Sequence, residues 1–233
     1  MNLFRRWVPG YVLILFVTLM AAQWGSKAAT VMAENRPIHR SGTIIIDAGH
    51  GGVDGGATSC TGILESQFNL EISMRLNDLL RFLGHKTMMI RTEDISIYKS
   101  GQTIAQKKMS DLKERVRIVN QTEQALLLSI HQNHFPDSKY AGGQIFYADT
   151  EGSATLAKKM QEAFRMILNP GSNRQEKKCS GIYLMEHIKC PGILIECGFL
   201  SNPEEEARLR SSAYQQKLCA VIAAVAGTCK PNT

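Results

Sequence analysis

The sequence predicts an α/β fold, a single domain whose mostly parallel central sheet is flanked by helices. Three short apolar runs, Ile44-Ile45-Ile46, Leu126-Leu127-Leu128 and Ile193-Leu194-Ile195, have the character of strands buried on both faces. Segments of strand and helix character alternate along the chain from residue 43 onward. The length of 233 residues, 44% of them hydrophobic, suffices for one core and leaves little for a second.

At the amino terminus Arg5 and Arg6 precede the apolar stretch Tyr11 to Ala22, and the small residues Ser26, Ala28 and Ala29 follow. This reads as an export signal over residues 1–28, cleaved near Ala28. Counted from Trp7 to Trp24, the segment approaches the roughly 20 residues of a spanning helix, so a signal anchor holding the protein to a membrane through residues 7–24 is the alternative. A buried core helix would have to tolerate Pro9-Gly10 and a basic flank. Residues 29–40 are a polar linker, and the folded domain is expected over 41–230, in an exported protein acting outside the cytoplasm.

Within that domain the first strand covers 43–47 and a Gly-rich loop runs from Gly49 to Gly62. A helix follows at 66–83, closed by Gly84, then a strand at 86–91. The polar stretch from Thr92 to Ser110 leads into an amphipathic helix ending near Thr122, on which Leu112, Val116 and Val119 share a face. A strand at 125–130, a loop from His134 to Ala141, a strand at 143–148 and a helix over 153–168 come next, the last stopped by Asn169-Pro170-Gly171. Strands are expected near 181–185 and 192–196. One final helix opens at Asn202-Pro203-Glu204, where a capping residue, an early proline and an acidic group suit a helix start.

The net charge is +6 and the pI about 9.0, but the basic residues form short clusters such as Lys107-Lys108, Lys158-Lys159 and Lys177-Lys178. Such clusters read as solvated faces, which gives no reason to expect a nucleic-acid partner. Mild attraction to an anionic membrane or bacterial wall polymer fits better. The six cysteines show no Cys-x-x-Cys spacing, so a structural zinc cluster is not expected. Export permits up to three disulfides, and free buried thiols remain equally open. No internal repeat is present, so a repeat-built wall-binding module is absent from this sequence.

Each of the three apolar runs leads to a residue that can bind or serve a metal: His50, His131 and Glu196. Open α/β sheets place their ligands at the carboxyl ends of such strands. A lone strand-end histidine is more often structural, but two on one inferred sheet favour a metal site. A carboxylate directly after Ile-Leu-Ile is costly to bury unless it is paired or functional, which singles out Glu196. Asp47 either orients a ligand histidine from behind or caps the Gly-rich turn. Asn133 either bonds substrate amide groups or caps a turn. His134, His85, His39 and His187 carry no comparable signal.

The motifs Ile46-Asp47-Ala48-Gly49-His50-Gly51-Gly52, Asp54-Gly55-Gly56-Ala57, Glu65 with Asn69-Leu70, Arg115-Val116 with Asn120, Ser129-Ile130-His131-Gln132-Asn133, and Pro191 with Ile195-Glu196-Cys197-Gly198-Phe199-Leu200-Ser201-Asn202-Pro203 occur in order and at compatible spacing over nearly all of residues 42–227. Together they resemble the zinc-dependent N-acetylmuramoyl-L-alanine amidases often called type 3 amidases. The resemblance implies one Zn2+ held by His50, Glu65 and His131, with Glu196 as the catalytic carboxylate; Glu71 ranks second to Glu65. Two imidazoles and a carboxylate suit a catalytic zinc, and a further carboxylate can move the proton that amide hydrolysis requires. The glycines at 49, 51, 52, 55 and 56 would let backbone approach metal and substrate, with Gly52 and Asn133 as candidate substrate contacts. His134 departs from the pattern, since the family usually has a small residue there.

The implied substrate is peptidoglycan, cut between N-acetylmuramic acid and L-alanine. The compact build is most similar to the germination-specific spore cortex amidases, whose action prepares muramic acid for δ-lactam formation. A zinc peptidase or carboxypeptidase acting on stem peptides and a non-catalytic wall-binding protein are the competing readings. With only residues 134–141 between two strands, no folded plug is expected over the site. Control is then expected from outside, by membrane retention or by an exported accessory protein, with residues 92–110 as a possible docking surface.

Overall fold

The apolar runs owe their composition to burial from both sides of one sheet. A computed structural model describes residues 42–228; the expected export signal, the linker and Cys229 lie outside the described residues. Six strands, β1 (Thr43–Ala48), β2 (Thr87–Met89), β3 (Ala125–Asn133), β4 (Gln144–Tyr147), β5 (Lys177–Lys178) and β6 (Gly192–Phe199), lie in the order β2-β1-β3-β6-β4-β5. The central pairs β1–β2, β1–β3 and β3–β6 are parallel, as is the outer pair β4–β5. Among the strand pairs of this sheet in the described residues, β4–β6 alone is antiparallel. The helices are α1 (Glu65–Phe82), α2 (Ile104–Gln121), α3 (Ser153–Ala163), α4 (Tyr183–His187), α5 (Pro203–Arg210) and α6 (Ser212–Ala226).

Alternation along each strand divides the core. Ile44, Ile46, Leu126, Leu128, Ile130, Ile193 and Ile195 face a layer containing α1, α3 and α6, where Phe68, Ile72, Leu76, Leu156, Met160, Leu218 and Ile222 complete the packing. Ile45, Leu127 and Leu194 face the opposite layer, with Val119 of α2 and Leu184 and Met185 of α4. Each fully buried Leu or Ile contributes about 1.5–3 kcal/mol relative to exposure. On the second face the strand residues change from apolar to polar towards the carboxyl ends, as Ile45 gives way to Asp47, Leu127 to Ser129 and His131, and Leu194 to Glu196. That change marks a polar carboxyl end of the sheet.

Four expectations need correction. The strand expected near 181–185 is helix α4, and the edge strand is the two-residue β5 before it. Leu184, Met185 and Ile188 are buried at helical spacing against the α2 side, a face that a strand would have turned half outward. The polar stretch after Thr92 is shorter than expected, because α2 begins at Ile104 behind a capping box made by Thr103 and Gln106. Exposed Ile104 carries no amphipathic signal there. The helix expected over 153–168 changes to a π-helical turn at Phe164–Leu168. The carboxyl-terminal helix is two helices, broken at extended Ser211.

Candidate metal centre

His50, Glu65 and His131 come together at the carboxyl end of the sheet, one ligand atom from each lying within 4.8 Å of the others. They arrive from different elements. His131 is on β3, paired with Glu196 of β6 in register. His50 follows β1 by two residues, and Glu65 opens α1 on the opposite layer and reaches over the sheet end. His50 Nε2 is 3.2 Å from Glu65 Oε2, and His131 Nδ1 is 3.0 Å from Glu65 Oε1. The two imidazoles stand edge to face, 5.0 Å between centroids.

Glu65 is fixed by more than the two rings. Its Oε1 accepts from the Gln132 backbone N–H at 3.1 Å and from Asn69 Nδ2 at 3.2 Å, while Oε2 accepts from Ala57 N–H at 3.0 Å. Burial opposes its charge, but the hydrogen bonds and charges of His131 and His50 hold its pKa far below the usual carboxylate range. Two glycines make this closeness possible. A Cβ on Gly49 would stand 2.1 Å from His131 Nε2, and one on Gly56, at φ +70°, would stand 2.6 Å from Glu65 Oε2.

The backbone bearing His50 is clamped by two buried arginines. Arg91 donates to the carbonyls of Ala48 at 2.8 Å, Gly49 at 3.0 Å and Ser66 at 2.9 Å. Arg115 donates to Ala48 O at 3.0 Å and His50 O at 2.7 Å, and Asn69 Nδ2 adds a bond to Gly49 O at 3.1 Å. Asp47 and Asp111 neutralise Arg115, and Asp47 also accepts from Ser129 Oγ at 2.7 Å. Every carbonyl from Ala48 to His50 is therefore occupied. The clamp holds His50 at φ +60°, a left-handed conformation that a side chain with a Cβ resists. Asp54 Oδ2 lies 3.0 Å from His50 Nδ1, an ion-pair distance without hydrogen-bond alignment, and Lys108 Nζ approaches the same oxygen at 3.1 Å. Burial works against protonation of His50, but Asp54 and Glu65 prevail and raise its pKa to about 9.

Glu196 stands beside this group with Oε2 out of solvent contact and without a hydrogen-bond partner. Burial first, and the Glu65 charge in addition, raise its pKa to about 7, against the opposing pull of His131 and His50. A buried acceptor left unmatched requires an explanation. Together with the convergent His, Glu and His donors, it fits a site that takes a divalent metal and a polar reactant. A cleft of about 430 Å³ opens on this point, lined by His50, His131, Glu196 and Lys108 and by Met109, Leu112 and residues 181–184.

Of the other candidate residues, Asp47 borders the cleft and the rest lie away from it. Asp47 serves Arg115 and Ser129, so it acts on the His50 segment from behind. Gly52, on an exposed turn at φ +57°, gives its N–H to Asp94 Oδ1 at 3.1 Å. Asn133 lies at the β3–β6 register shift, where its carbonyl accepts from Leu200 N–H at 2.8 Å. Neither Gly52 nor Asn133 lines the cleft. Glu71 is paired with Arg75 on the outside of α1. His134 is exposed just past the end of β3. Residues 94–97 brace the Gly51-Gly52 turn, through Asp94 to Gly52 and through Ser96 Oγ to Gly51 O. Arg91 was not legible as a site residue, since nothing marks one arginine after a strand. Asp54, four residues past His50 in the Gly-rich loop, offered a usable signal.

Known proteins share this sequence and fold. The family model described as N-acetylmuramoyl-L-alanine amidase matches residues 44–226. The germination-specific N-acetylmuramoyl-L-alanine amidase of Bacillus subtilis is 39% identical over 188 residues, covering 78% of this chain and 77% of that protein. The CwlD amidase of Clostridioides difficile, solved in complex with the GerS lipoprotein, superimposes with a TM-score of 0.76 at 38% identity, over 79% of this chain and 96% of that one. An N-acetylmuramoyl-L-alanine amidase of Clostridium difficile 630 gives a TM-score of 0.69 at 28% identity, over 81% and 96% of the two chains. Sequence and fold thus agree that this chain belongs to the N-acetylmuramoyl-L-alanine amidase family of enzymes.

Proposed function

We propose that this amidase is a zinc-dependent enzyme of the spore cortex, cutting the amide between the lactyl group of N-acetylmuramic acid and the first L-alanine of the stem peptide so that the freed muramic acid can go on to the δ-lactam. The observation that carries the reading is the convergence of His50, Glu65 and His131 beside the unpartnered carboxylate of Glu196. The likeness to the germination-specific Bacillus subtilis amidase supports the cortex assignment.

In this reading His50, Glu65 and His131 hold one zinc ion. Bound there, zinc would lower the pKa of a coordinated water and polarise the scissile carbonyl. Glu196 takes the proton from the attacking water and returns it to the departing alanine nitrogen. A carboxyl raised to about 7 suits both directions of transfer near neutral pH. Arg91, Arg115 and Asp54 hold His50 in place, and Asn69 and Gln132 hold Glu65. Met109, Leu112 and Leu184 give the cleft an apolar wall beside the His50, His131 and Glu196 group.

The protein acts outside the cytoplasm on the wall or spore envelope, reached through residues 1–28 as signal or anchor. Among the described residues no helix is long and apolar enough to cross a membrane. An exported accessory protein belongs to the same reading; the relative solved with a lipoprotein supports it. Incubation of the zinc-loaded protein with peptidoglycan, followed by mass spectrometry, tests the activity. Free stem peptides beginning with L-alanine are expected, and cleavage inside the peptide would favour the peptidase alternative.

A further inference from the structure

The loop over residues 134–141, which follows the His131 strand, displays two aromatic side chains to solvent. Phe135 is 47% and Tyr140 39% exposed. Their rings meet edge to face, 4.8 Å between centroids, and Tyr140 stacks on buried Phe199 at 6.3 Å. Phe199 pairs in register with Asn133, which lies two residues, about 7 Å along the strand, past His131, so this aromatic group sits at the same end of the sheet as the candidate metal centre.

The loop is held rather than loose. Phe135 N–H donates to Ser201 Oγ at 3.1 Å, and Asn202 Nδ2 donates to Ser138 O at 2.9 Å and Tyr140 O at 3.4 Å. Glu205 Oε2 accepts from Gly142 N–H and from Phe199 N–H, both at 2.9 Å. Lys139 Nζ stands 5.4 Å from the Tyr140 ring and Arg174 4.9 Å from the Phe199 ring. Rigid aromatic groups lose little entropy on binding. Two half-exposed rings are, however, far too small for a protein interface of about 800 Å² per partner.

A pyranose ring has the complementary surface: a face of C–H bonds that stacks on an aromatic ring, edged by hydroxyl and amide groups that a tyrosine hydroxyl or lysine ammonium can meet. We infer that Phe135 and Tyr140 form a platform for a sugar ring of the glycan strand, so that the substrate lies with its glycan over residues 134–141 and its stem peptide in the cleft beside Met109, Leu112 and Tyr183. The lactyl group places the sugar only a few bonds from the scissile carbonyl, and the platform follows directly on the strand that carries His131. The peptide leaves from the other side of the amide, where the cleft is apolar and Lys108 stands at 49% side-chain exposure. This assignment rests on the amidase reading above and adds the direction in which the substrate lies.

The test uses the zinc-loaded full-length protein and two substrates with the same stem peptide, a disaccharide muropeptide and a lactoyl peptide without sugar. Replacing both Phe135→Ala and Tyr140→Ala is expected to raise KM for the muropeptide about tenfold, equivalent to about 1.4 kcal/mol, with kcat changed much less. The ratio of kcat/KM for muropeptide over lactoyl peptide then falls by a similar factor. Phe135→Leu with Tyr140→Leu keeps apolar packing on Phe199 without a flat face and should show the same loss, while Tyr140→Phe should restore most of the binding. Equal loss on both substrates, or an unchanged KM for the muropeptide, would overturn the platform while leaving the amidase intact. Cleavage of the muropeptide within its stem peptide by the unmodified protein would overturn the amidase reading itself, and the platform with it.

Discussion

At the scale of single residues the division of labour between two glutamates is the point most open to experiment. Glu196→Gln should keep the metal and lower kcat by about 10²–10⁴, the usual worth of a positioned general base, whereas His50→Ala and His131→Ala should lose the metal in elemental analysis of the purified proteins. If Glu196→Gln lost zinc while Glu65→Ala retained it, the two roles would be exchanged. The arginine clamp gives a second prediction. Arg91→Ala frees the carbonyls of Ala48 and Gly49 and should weaken metal binding by about 10–100-fold, the cost of losing a group that orients a ligand, as read by competition with a chelator. Normal metal affinity in a folded Arg91→Ala protein would contradict the clamp. A third concerns pH in the metal-free protein. His50 has its pKa raised to about 9, so its protonation stabilises the fold fully below the unfolded value of about 6.5 and is lost as pH rises through about 9. Glu196, raised to about 7, works in the same direction, because the folded state holds its proton more tightly than the unfolded chain does. The melting temperature without metal should therefore fall between about pH 5 and pH 9, and saturating zinc should flatten the decline. A rise over that interval would show that these groups are not coupled to folding as described.

The elements show how far a sequence can be read. The three central strands were legible because burial on both faces leaves an uninterrupted apolar run, and each run points at a site residue. Helix α4 was mistaken for a strand because five residues are too few for periodicity to separate the two. The start of α2 was missed because its first turn is exposed, although Thr103-x-x-Gln106 carried the capping signal. Thr103→Ala should cost about 1 kcal/mol, the usual worth of such a cap, measurable by denaturant unfolding. The site divided in the same way. Residues fixed by strand ends and glycine turns, such as His50 and His131, were visible, and Asn69, Arg115 and Ser129 stood in the motifs, but the pairings that tie them together across 20 to 82 positions were not. Arg91 reaches Ala48 over 43 positions and Ser129 reaches Asp47 over 82. Only the fold brings such partners together, and no local pattern announces them.

For the whole molecule, the sheet delivers two histidines and a carboxylate to one end, helix α1 delivers the third donor from the opposite layer, and the cleft leaves this group open on one side. Among the described residues the loop between β3 and β4 carries no folded plug, and control by location or by a partner is the corresponding proposal. If an accessory protein provides that control, the isolated domain beginning near Ser41 should gain zinc occupancy or turnover when the native exported protein is supplied. Full occupancy and unchanged wall hydrolysis with and without it would remove the partner from the account. The measurement closest to the central claim is the identity of the bond cut. Zinc-loaded protein acting on purified spore peptidoglycan should release stem peptides with a free L-alanine amino terminus and leave muramic acid with its lactyl carboxylate, both absent when Glu196→Gln is used. Products cut within the stem peptide, or undiminished release by Glu196→Gln, would contradict it.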